Sequence, residues 1–186
     1  MKFIEQRIKG VFEVRLNPLH DSRGFFMRTF DVKLFDEIGY TYEWVQENHS
    51  LSIERNVLRG LHFQFSPFAE TKLVRVIRGS VLDVYVDLRR NSETFGEWGS
   101  IVLTSVFKNM AFIPRGFAHG YLTLEDYTEV IYKVDNFYYP ESESGIIWND
   151  KELSINWGID NPILSDKDTK LLSFNEFVIN SEAIKL

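Results

Sequence analysis

Residues 72–89 read KLVRVIRGSVLDVYVDLR, and the alternation within that stretch decides the fold. In an extended chain Lys72, Val74 and Val76 fall on one side and Leu73, Arg75 and Ile77 on the other. Beyond Gly79-Ser80 the period resumes: Leu82, Val84, Val86 and Leu88 share one face, and Val81, Asp83, Tyr85 and Asp87 the other. Period two specifies strands, and Gly79-Ser80 reads as a hairpin turn between them. Working outward, further strands are expected at 10–16, 24–30, 57–64, 99–104, 108–113, 119–123 and 127–135, broken by NPLHDSRG (17–24) and IPRG (113–116). DVKLFDEIG (31–39) predicts a short helix: Asp31 caps it, Leu34, Phe35 and Ile38 form an apolar stripe, and Gly39 ends it. The segment after Trp157 is irregular, with helix expected from about residue 169. Many short strands at this spacing predict an all-β antiparallel sandwich or barrel with a few short helices. With no repeat and no linker, residues 1–186 read as a single domain with an irregular or helical tail from about 158.

Hydrophobic residues make up 44% and charged ones 26%, the balance of a globular chain able to bury a sizeable core. The absence of cysteine removes disulfides, thiolate metal sites and any thiol nucleophile. The net charge of -6 argues against non-specific nucleic-acid binding, which needs a basic field. It does not exclude an anionic small ligand, for which a few Arg and Lys residues suffice. The N-terminus MKFIEQRIKGVFEV has no apolar signal region and no run approaches a membrane span, so the expected location is cytoplasmic, away from membranes.

Polar residues interrupt the apolar strands at a few places. In VLRGLHFQF (57–65), unbroken alternation puts Leu58, Gly60, His62 and Gln64 on one face and Val57, Arg59, Leu61 and Phe63 on the other. Lys72 opens its strand on the face of Val74 and Val76, so an inward-facing Lys72 enters an apolar pocket. A buried ammonium is costly unless it serves an anion or a polarised carbonyl. Tyr132 shares a face with Val130 and Val134, which carries its hydroxyl inward as well. Singly, each has a plain explanation: a hydrogen-bonded histidine at a sheet margin, a lysine snorkelling from a strand end.

The second histidine strand, FIPRGFAHGYLTL (112–124), follows a Pro-x-Gly turn and carries His119. Two such strands in this order resemble the paired motifs of the cupin superfamily, small β jelly rolls with a site inside the barrel. A metal-binding cupin shows His-x-His followed by a carboxylate. Here the triplet is His62-Phe63-Gln64, and an amide is a poor substitute for imidazole at a transition metal. A metal-free pocket is expected.

The chain then resembles one family along most of its length, the nucleotide-sugar 3,5-epimerases of the dTDP-4-dehydrorhamnose type. The resemblance runs through VFEVRLNPLHDSRGFFMRTF, VQENHSLS, NVLRGLHFQ, KLVRVIRGSVLDVYVDLR, SETFGEW, FIPRGFAHGYLTL, YKVDNFYYPESESGIIWND, LSINW and ILSDKD, ending at about Asp168. It implies a jelly-roll homodimer without metal or other cofactor, acting on a nucleoside diphosphate-4-keto-6-deoxyhexose and inverting C5 and C3. Motif by motif it implies His62 as base, Asp168 as its dyad partner, Tyr132 as acid on the opposite ring face and Lys72 facing the C4 oxygen. It also implies substrate contacts from Arg23, Phe25, Gln46, Asn48, Arg59, His119, Tyr138 and Glu143. The chain departs from the family at Arg28, in the nucleotide-contacting segment, where a glutamate is usual, and at Glu70, where a glutamine is common. Other readings stay open on sequence alone: an epimerase of one carbon, a 3,4-ketoisomerase, or a non-catalytic sugar-binding jelly roll. The ketoisomerase would dispense with Lys72 and Tyr132; the binding module would not need His62, Lys72, Tyr132 and Asp168 together.

Overall fold

A computed structural model describes residues 1–180. Its strands are β1 (Lys2–Glu5), β2 (Phe12–Arg15), β3 (Leu19–Asp21), β4 (Gly24–Phe26), β5 (Gln46–Ser52), β6 (Leu58–Gln64), β7 (Lys72–Arg78), β8 (Ser80–Asp87), β9 (Trp98–Thr104), β10 (Asn109–Ile113), β11 (Phe117–Thr123), β12 (Thr128–Val134) and β13 (Glu143–Gly145). The α-helices are α1 (Val32–Asp36) and α2 (Phe174–Asn180). Six strands form one sheet in the order β1-β2-β10-β7-β12-β5, five form the other in the order β13-β6-β11-β8-β9, and β3 and β4 form a separate hairpin. The ladders between these strands are antiparallel, as the alternation predicts. The result is an all-β jelly-roll sandwich with short helices.

The central strands of both sheets are buried on both faces, which explains why β8 carries apolar residues in both registers, Val81 and Tyr85 on one and Leu82, Val84 and Val86 on the other. Val74, Val76, Ala111, Ile113 and Val130 of the six-stranded sheet meet Val81, Tyr85, Ile101, Leu103, Phe117 and Tyr121 of the five-stranded one, forming the sandwich interior. On the outer face of the five-stranded sheet, Leu58, Leu61, Phe63, Val84 and Val86 pack against Ile146, Leu153, Trp157, Phe174 and Phe177 from the C-terminal segment. On the outer face of the six-stranded sheet, Val14, Leu73, Met110 and Phe112 pack against Phe35 of α1 and Tyr40. Phe35 and Phe177 are fully buried, each worth about 1.5–3 kcal/mol in transfer free energy. The C-terminal segment is therefore part of the core, and this docking carries residue 168 to the sheet.

Several expectations are corrected. Gly79-Ser80 is not a hairpin: β7 and β8 lie in different sheets, and the chain turns a corner between them. Alternation identifies faces but not pairing partners, and a glycine serves either geometry. Gly79 has φ +77, and a Cβ there would lie 2.4 Å from Thr128 Oγ1, so the corner presses on β12.

The expected strand at 24–30 shortens to Gly24–Phe26, and the segment read as a break before it holds β3. Helix 31–39 contracts to α1, with Asp31 Oδ1 accepting from Lys33 N at 3.2 Å and Gly39 at φ +81 beyond it. The expected C-terminal helix begins later, at Phe174, after a 3₁₀ turn over Asp168–Lys170.

The last correction concerns β6. His62 pairs with His119, but Arg59 pairs with Tyr121 and Leu58 with Leu122. Two residues, Gly60 and Leu61, thus oppose Gly120 alone, and this bulge reverses the alternation. Leu58, Leu61 and Phe63 face outward into the C-terminal core, whereas Arg59 joins His62 on the inner face. The bulge requires two glycines. A Cβ on Gly60 (φ +116) would sit 2.7 Å from Gly120 Cα and from His119 O, and one on Gly120 would sit 2.6 Å from Arg59 O.

Candidate active site

At one end of the sandwich the interior opens into two adjoining cavities of about 290 and 300 Å³ that share His62, Lys72, Tyr132 and Glu143. Gln46, Asn48, Gln64, Glu70 and Tyr138 line the first. Arg59, His119, Ser165, Lys167 and Asp168 line the second. Strands from both sheets thus aim polar side chains into a space whose floor is the apolar interior.

His62 is the most specifically held of these groups. Its Nε2 lies 2.5 Å from Asp168 Oδ1. The other carboxylate oxygen accepts from Ser165 Oγ at 2.8 Å, and Ser165 Oγ accepts from the Asp168 backbone N–H at 3.2 Å. Burial alone would raise the Asp168 carboxyl, but hydrogen bonds from His62 and Ser165, the charge of His62 and the Gly60 N–H hold it below the usual carboxylate range. An ionised Asp168 fixes the tautomer with the proton on Nε2 and leaves the lone pair on Nδ1, the arrangement a general base needs.

Lys72 is 8% exposed and its Nζ pairs with Glu70 Oε1 at 3.2 Å. The hydroxyl of Tyr132 is pushed above its ordinary value, first by burial and then by the Glu70 carboxylate, with Arg59 opposing and Glu143 adding to the rise. Tyr132 therefore carries its proton at neutral pH, as a donor must. Glu143 accepts from the Tyr138 hydroxyl at 2.6 Å and pairs with Lys167 Nζ at 2.5 Å. Burial raises this carboxyl, but those partners, with the charge of His62, bring it below the usual range. His119 Nε2 lies 2.8 Å from Asp83, which is fully buried. Arg59 makes only long contacts, 3.4 Å to Ser52 Oγ and to Leu51 O, and has no carboxylate partner among the described residues. A guanidinium so loosely tied is available to an anionic ligand.

Gln64, at the place of a second cupin histidine, is 3% exposed and committed elsewhere. Its amide nitrogen donates to Phe68 O at 2.9 Å, Glu70 Oε2 at 3.0 Å and Phe137 O at 3.2 Å, and its oxygen accepts from Tyr139 N at 2.7 Å. It ties together the loops on either side of the cavity.

The cavity thus gathers His62, Lys72, Tyr132, Asp168, Gln46, Asn48, Arg59, His119, Tyr138 and Glu143. Arg23, Phe25 and Arg28 lie elsewhere. Arg23 sits at the tip of the exposed β3–β4 hairpin, paired with Asp21 at 2.6 Å. The Phe25 ring lies under Lys108 Nζ, 4.6 Å from its centroid. Arg28 pairs with Asp31 at 2.8 Å, at the start of α1 and away from the cavity. Sequence reasoning overlooked Ser165, Lys167 and the placement of Glu70. The first two precede Asp168 in ILSDKD, and Glu70 stands two residues before Lys72, the spacing that puts side chains of an extended chain on one face.

Residues 5–176 match the family model described as dTDP-4-dehydrorhamnose 3,5-epimerase. The dTDP-4-dehydrorhamnose 3,5-epimerase of Shigella flexneri is 47% identical over 169 residues, covering 90% of this chain and 93% of that protein. The crystal structure of the dTDP-4-dehydrorhamnose 3,5-epimerase of Bacillus anthracis, with TDP and PPi bound, superposes with a TM-score of 0.91 at 43% identity, covering 93% and 99% of the two chains. That of the dTDP-6-deoxy-D-glucose-3,5-epimerase of Legionella pneumophila, in complex with dTDP-4-keto-L-rhamnose, superposes at 0.89 with 39% identity, covering 94% and 93%. With the same architecture and motifs over nearly its whole length, the chain belongs to the dTDP-4-dehydrorhamnose 3,5-epimerase family.

Proposed function

We propose that this protein inverts C5 and C3 of a nucleoside diphosphate-4-keto-6-deoxyhexose, converting dTDP-4-dehydro-6-deoxy-glucose to dTDP-4-dehydro-rhamnose. The observation that carries the reading is the 2.5 Å His62–Asp168 bond at the wall of a cavity also lined by Lys72 and Tyr132. Protons on carbons flanking a ketone become removable only if the enolate is stabilised as it forms. His62 Nδ1 takes the proton, and the C–H electron pair moves into the ring as the C4 carbonyl becomes an enolate oxygen. Lys72 donates to that oxygen, an interaction that strengthens in the transition state. Asp168 stabilises the imidazolium. Tyr132 then delivers a proton to the opposite face of the carbon as the enolate collapses to the ketone. Solvent returns the phenol and imidazole to their starting states, and the cycle repeats at the second carbon.

Gln46, Asn48, Arg59, His119, Tyr138 and Glu143 serve as substrate contacts in this reading, with Arg59 taking a phosphate. We propose further that the whole chain works as one domain, since the segment that packs Phe174 and Phe177 on the sheet also supplies Asp168. The working form is a cytoplasmic homodimer. Support for the dimer comes from the β3–β4 hairpin: Leu19, Phe25 and Phe26 are 64%, 51% and 69% exposed beside Arg23, and a second copy would cover them and give Arg23, Phe25 and Arg28 a substrate to meet. Sedimentation at working concentration tests this, with a monomer as the opposing result.

The deciding experiment follows solvent deuterium by NMR into dTDP-4-dehydro-6-deoxy-glucose. Label and inversion at both C5 and C3 are expected. Label at one carbon makes the protein a single-carbon epimerase, and no exchange overturns the reading.

A further inference from the structure

Gln46, Asn48, Arg59, His119 and Glu143 reach the cavity from strands, whereas Tyr138 reaches it from a loop. Residues 135–142 cross from β12 of one sheet to β13 of the other, over the mouth of the sandwich. Phe137, Tyr138 and Tyr139 are 62%, 54% and 40% exposed. A segment so exposed gains little from burial and still loses conformational freedom when it is fixed, so other contacts must hold it.

Gln64 closes a clip on it. Its amide nitrogen donates to Phe137 O at 3.2 Å and its oxygen accepts from Tyr139 N at 2.7 Å. The two bonds bracket residue 138 as those from a neighbouring strand would. Gln46 Oε1 accepts from the N–H of Tyr138 itself at 2.7 Å. Gln46 opens β5 of the six-stranded sheet and Gln64 ends β6 of the five-stranded one, so amides from both sheets grip three consecutive residues. Gln64 is buried, and its remaining bonds, to Phe68 O at 2.9 Å and Glu70 Oε2 at 3.0 Å, fix it in turn. The Phe68 ring stacks on Tyr139 at 4.1 Å and 7°. Held in this way, Tyr138 donates its hydroxyl to Glu143 Oε2 at 2.6 Å, at the edge of the cavity.

From this geometry we infer that Gln64 is a positioning residue for substrate binding, holding the 137–139 backbone so that Tyr138 is in place before the substrate arrives. The inference rests on the proposed role of Tyr138 as a substrate contact. Gln64 does not touch the substrate in this account and exchanges no proton. The position that carries the second imidazole of a metal-binding jelly roll serves here as a backbone clip. Released from the clip, the loop visits many conformations, and apparent affinity falls by the fraction that remains competent. That loss falls on substrate and transition state alike, so it appears in KM and leaves kcat nearly unchanged.

The first test needs no substitution. Amide hydrogen exchange at Tyr139, read by NMR on the wild-type protein, should already be slow without ligand, and TDP should slow it little further. Fast exchange that only TDP suppresses would overturn the inference, because the loop would then be ordered by the ligand. The second test compares wild type, Gln64→Met, Tyr138→Ala and the Gln64→Met/Tyr138→Ala double variant. Methionine keeps the length and bulk of the side chain and removes its hydrogen bonds. With two backbone bonds lost, Gln64→Met is expected to bind TDP about 10- to 30-fold more weakly. Its KM for dTDP-4-dehydro-6-deoxy-glucose should rise by the same factor, with kcat within about threefold. In the Tyr138→Ala background the Gln64→Met change should cost little further affinity, because the group it places is gone. Unchanged KM in Gln64→Met, or a loss confined to kcat, would overturn the inference. So would a double variant showing the full product of the two single losses, since Gln64 would then act through another group, such as Glu70. Tyr138→Ala with wild-type affinity would remove the substrate role of Tyr138 and the inference with it. That outcome is read from the single variant and is distinct from failure of the clip alone.

Discussion

Replacing Asp168 by asparagine probes the His62–Asp168 pair at its most sensitive point. The change is nearly isosteric, so the packing of this 4%-exposed side chain is preserved and only charge and donor pattern change. Ser165 dictates how the new amide sits. Its oxygen accepts from the residue 168 backbone N–H and its hydroxyl proton donates to the side chain, so it takes the amide carbonyl. The amide NH₂ is left facing His62 Nε2, where a carboxylate oxygen had been at 2.5 Å. A donor at that place demands a lone pair on Nε2, which moves the imidazole proton to Nδ1, the nitrogen that must be empty to accept a proton. The negative charge that stabilises the imidazolium is lost as well. Wrong tautomer and lost charge together cost a comparable histidine base about 10⁴ in kcat, and 10³- to 10⁴-fold here corresponds to about 4–5.5 kcal/mol of transition-state stabilisation. Asp168→Ala removes the charge without imposing the wrong tautomer, so it should be the milder change despite being the larger truncation. Initial rates of deuterium wash-in at C5 and C3 measure both variants, with urea denaturation to confirm that each is folded. Asp168→Asn within about threefold of wild type, or Asp168→Ala clearly worse than Asp168→Asn, would refute the tautomer reasoning.

Other expectations follow from the same geometry. His62→Ala should lose wash-in at both carbons by about 10² to 10⁴, and a folded variant that still exchanges would remove His62 as the base. Tyr132→Phe should impair inversion more than exchange, so deuterium enters with retained configuration; an equal fall in both, read by NMR, would place the hydroxyl before or within enolisation. With Lys72 stabilising the enolate, activity should survive exhaustive chelation, and a loss restored by one divalent ion would contradict this. Gly60→Ala should destabilise the fold by about 3 kcal/mol or more, from left-handed backbone strain and collision with Gly120, and an unchanged urea midpoint would refute the glycine-on-glycine account of the bulge. The depressed Asp168 carboxyl adds stability that is present above its unfolded value near 4 and lost as pH falls through the lower folded value. Asp168→Ala should therefore flatten the acid side of the stability–pH curve, measured by urea midpoints between about pH 2 and 5.

The parts of the fold legible in the sequence were those where one rule acted alone. In residues 81–88 Leu82, Val84, Val86 and Leu88 share one face and Val81 and Tyr85 lie on the other, and each set found an apolar layer. Asp31 capped α1 as its position demanded. β5 escaped notice because QENHSLS offers almost no apolar signal. It is an edge strand whose inward residues Gln46, Asn48 and Ser50 line the cavities, so its polarity records the site instead of the sheet. Gly79 misled because pairing is a long-range property, and a glycine looks the same in a hairpin as at a corner between sheets.

The site shows the same division one level higher. Lys72, Tyr132 and His119 face the cavity because each stands in an unbroken period-two pattern, which sequence resolves. Asp168 comes from a segment 106 residues beyond His62, and only the packing of Ile146, Trp157, Phe174 and Phe177 on the outer sheet face brings it there; no local pattern encodes that distance. Arg59 marks the limit most clearly. Strict alternation sends it away from His62, and the bulge at Gly60-Leu61 returns it. A bulge costs ladder hydrogen bonds and needs glycine on both strands, so this one persists where it re-aims a side chain at an edge of function. Two glycines in contact, unremarkable in composition, therefore decide whether a guanidinium stands beside the histidine that the proposed reaction depends on.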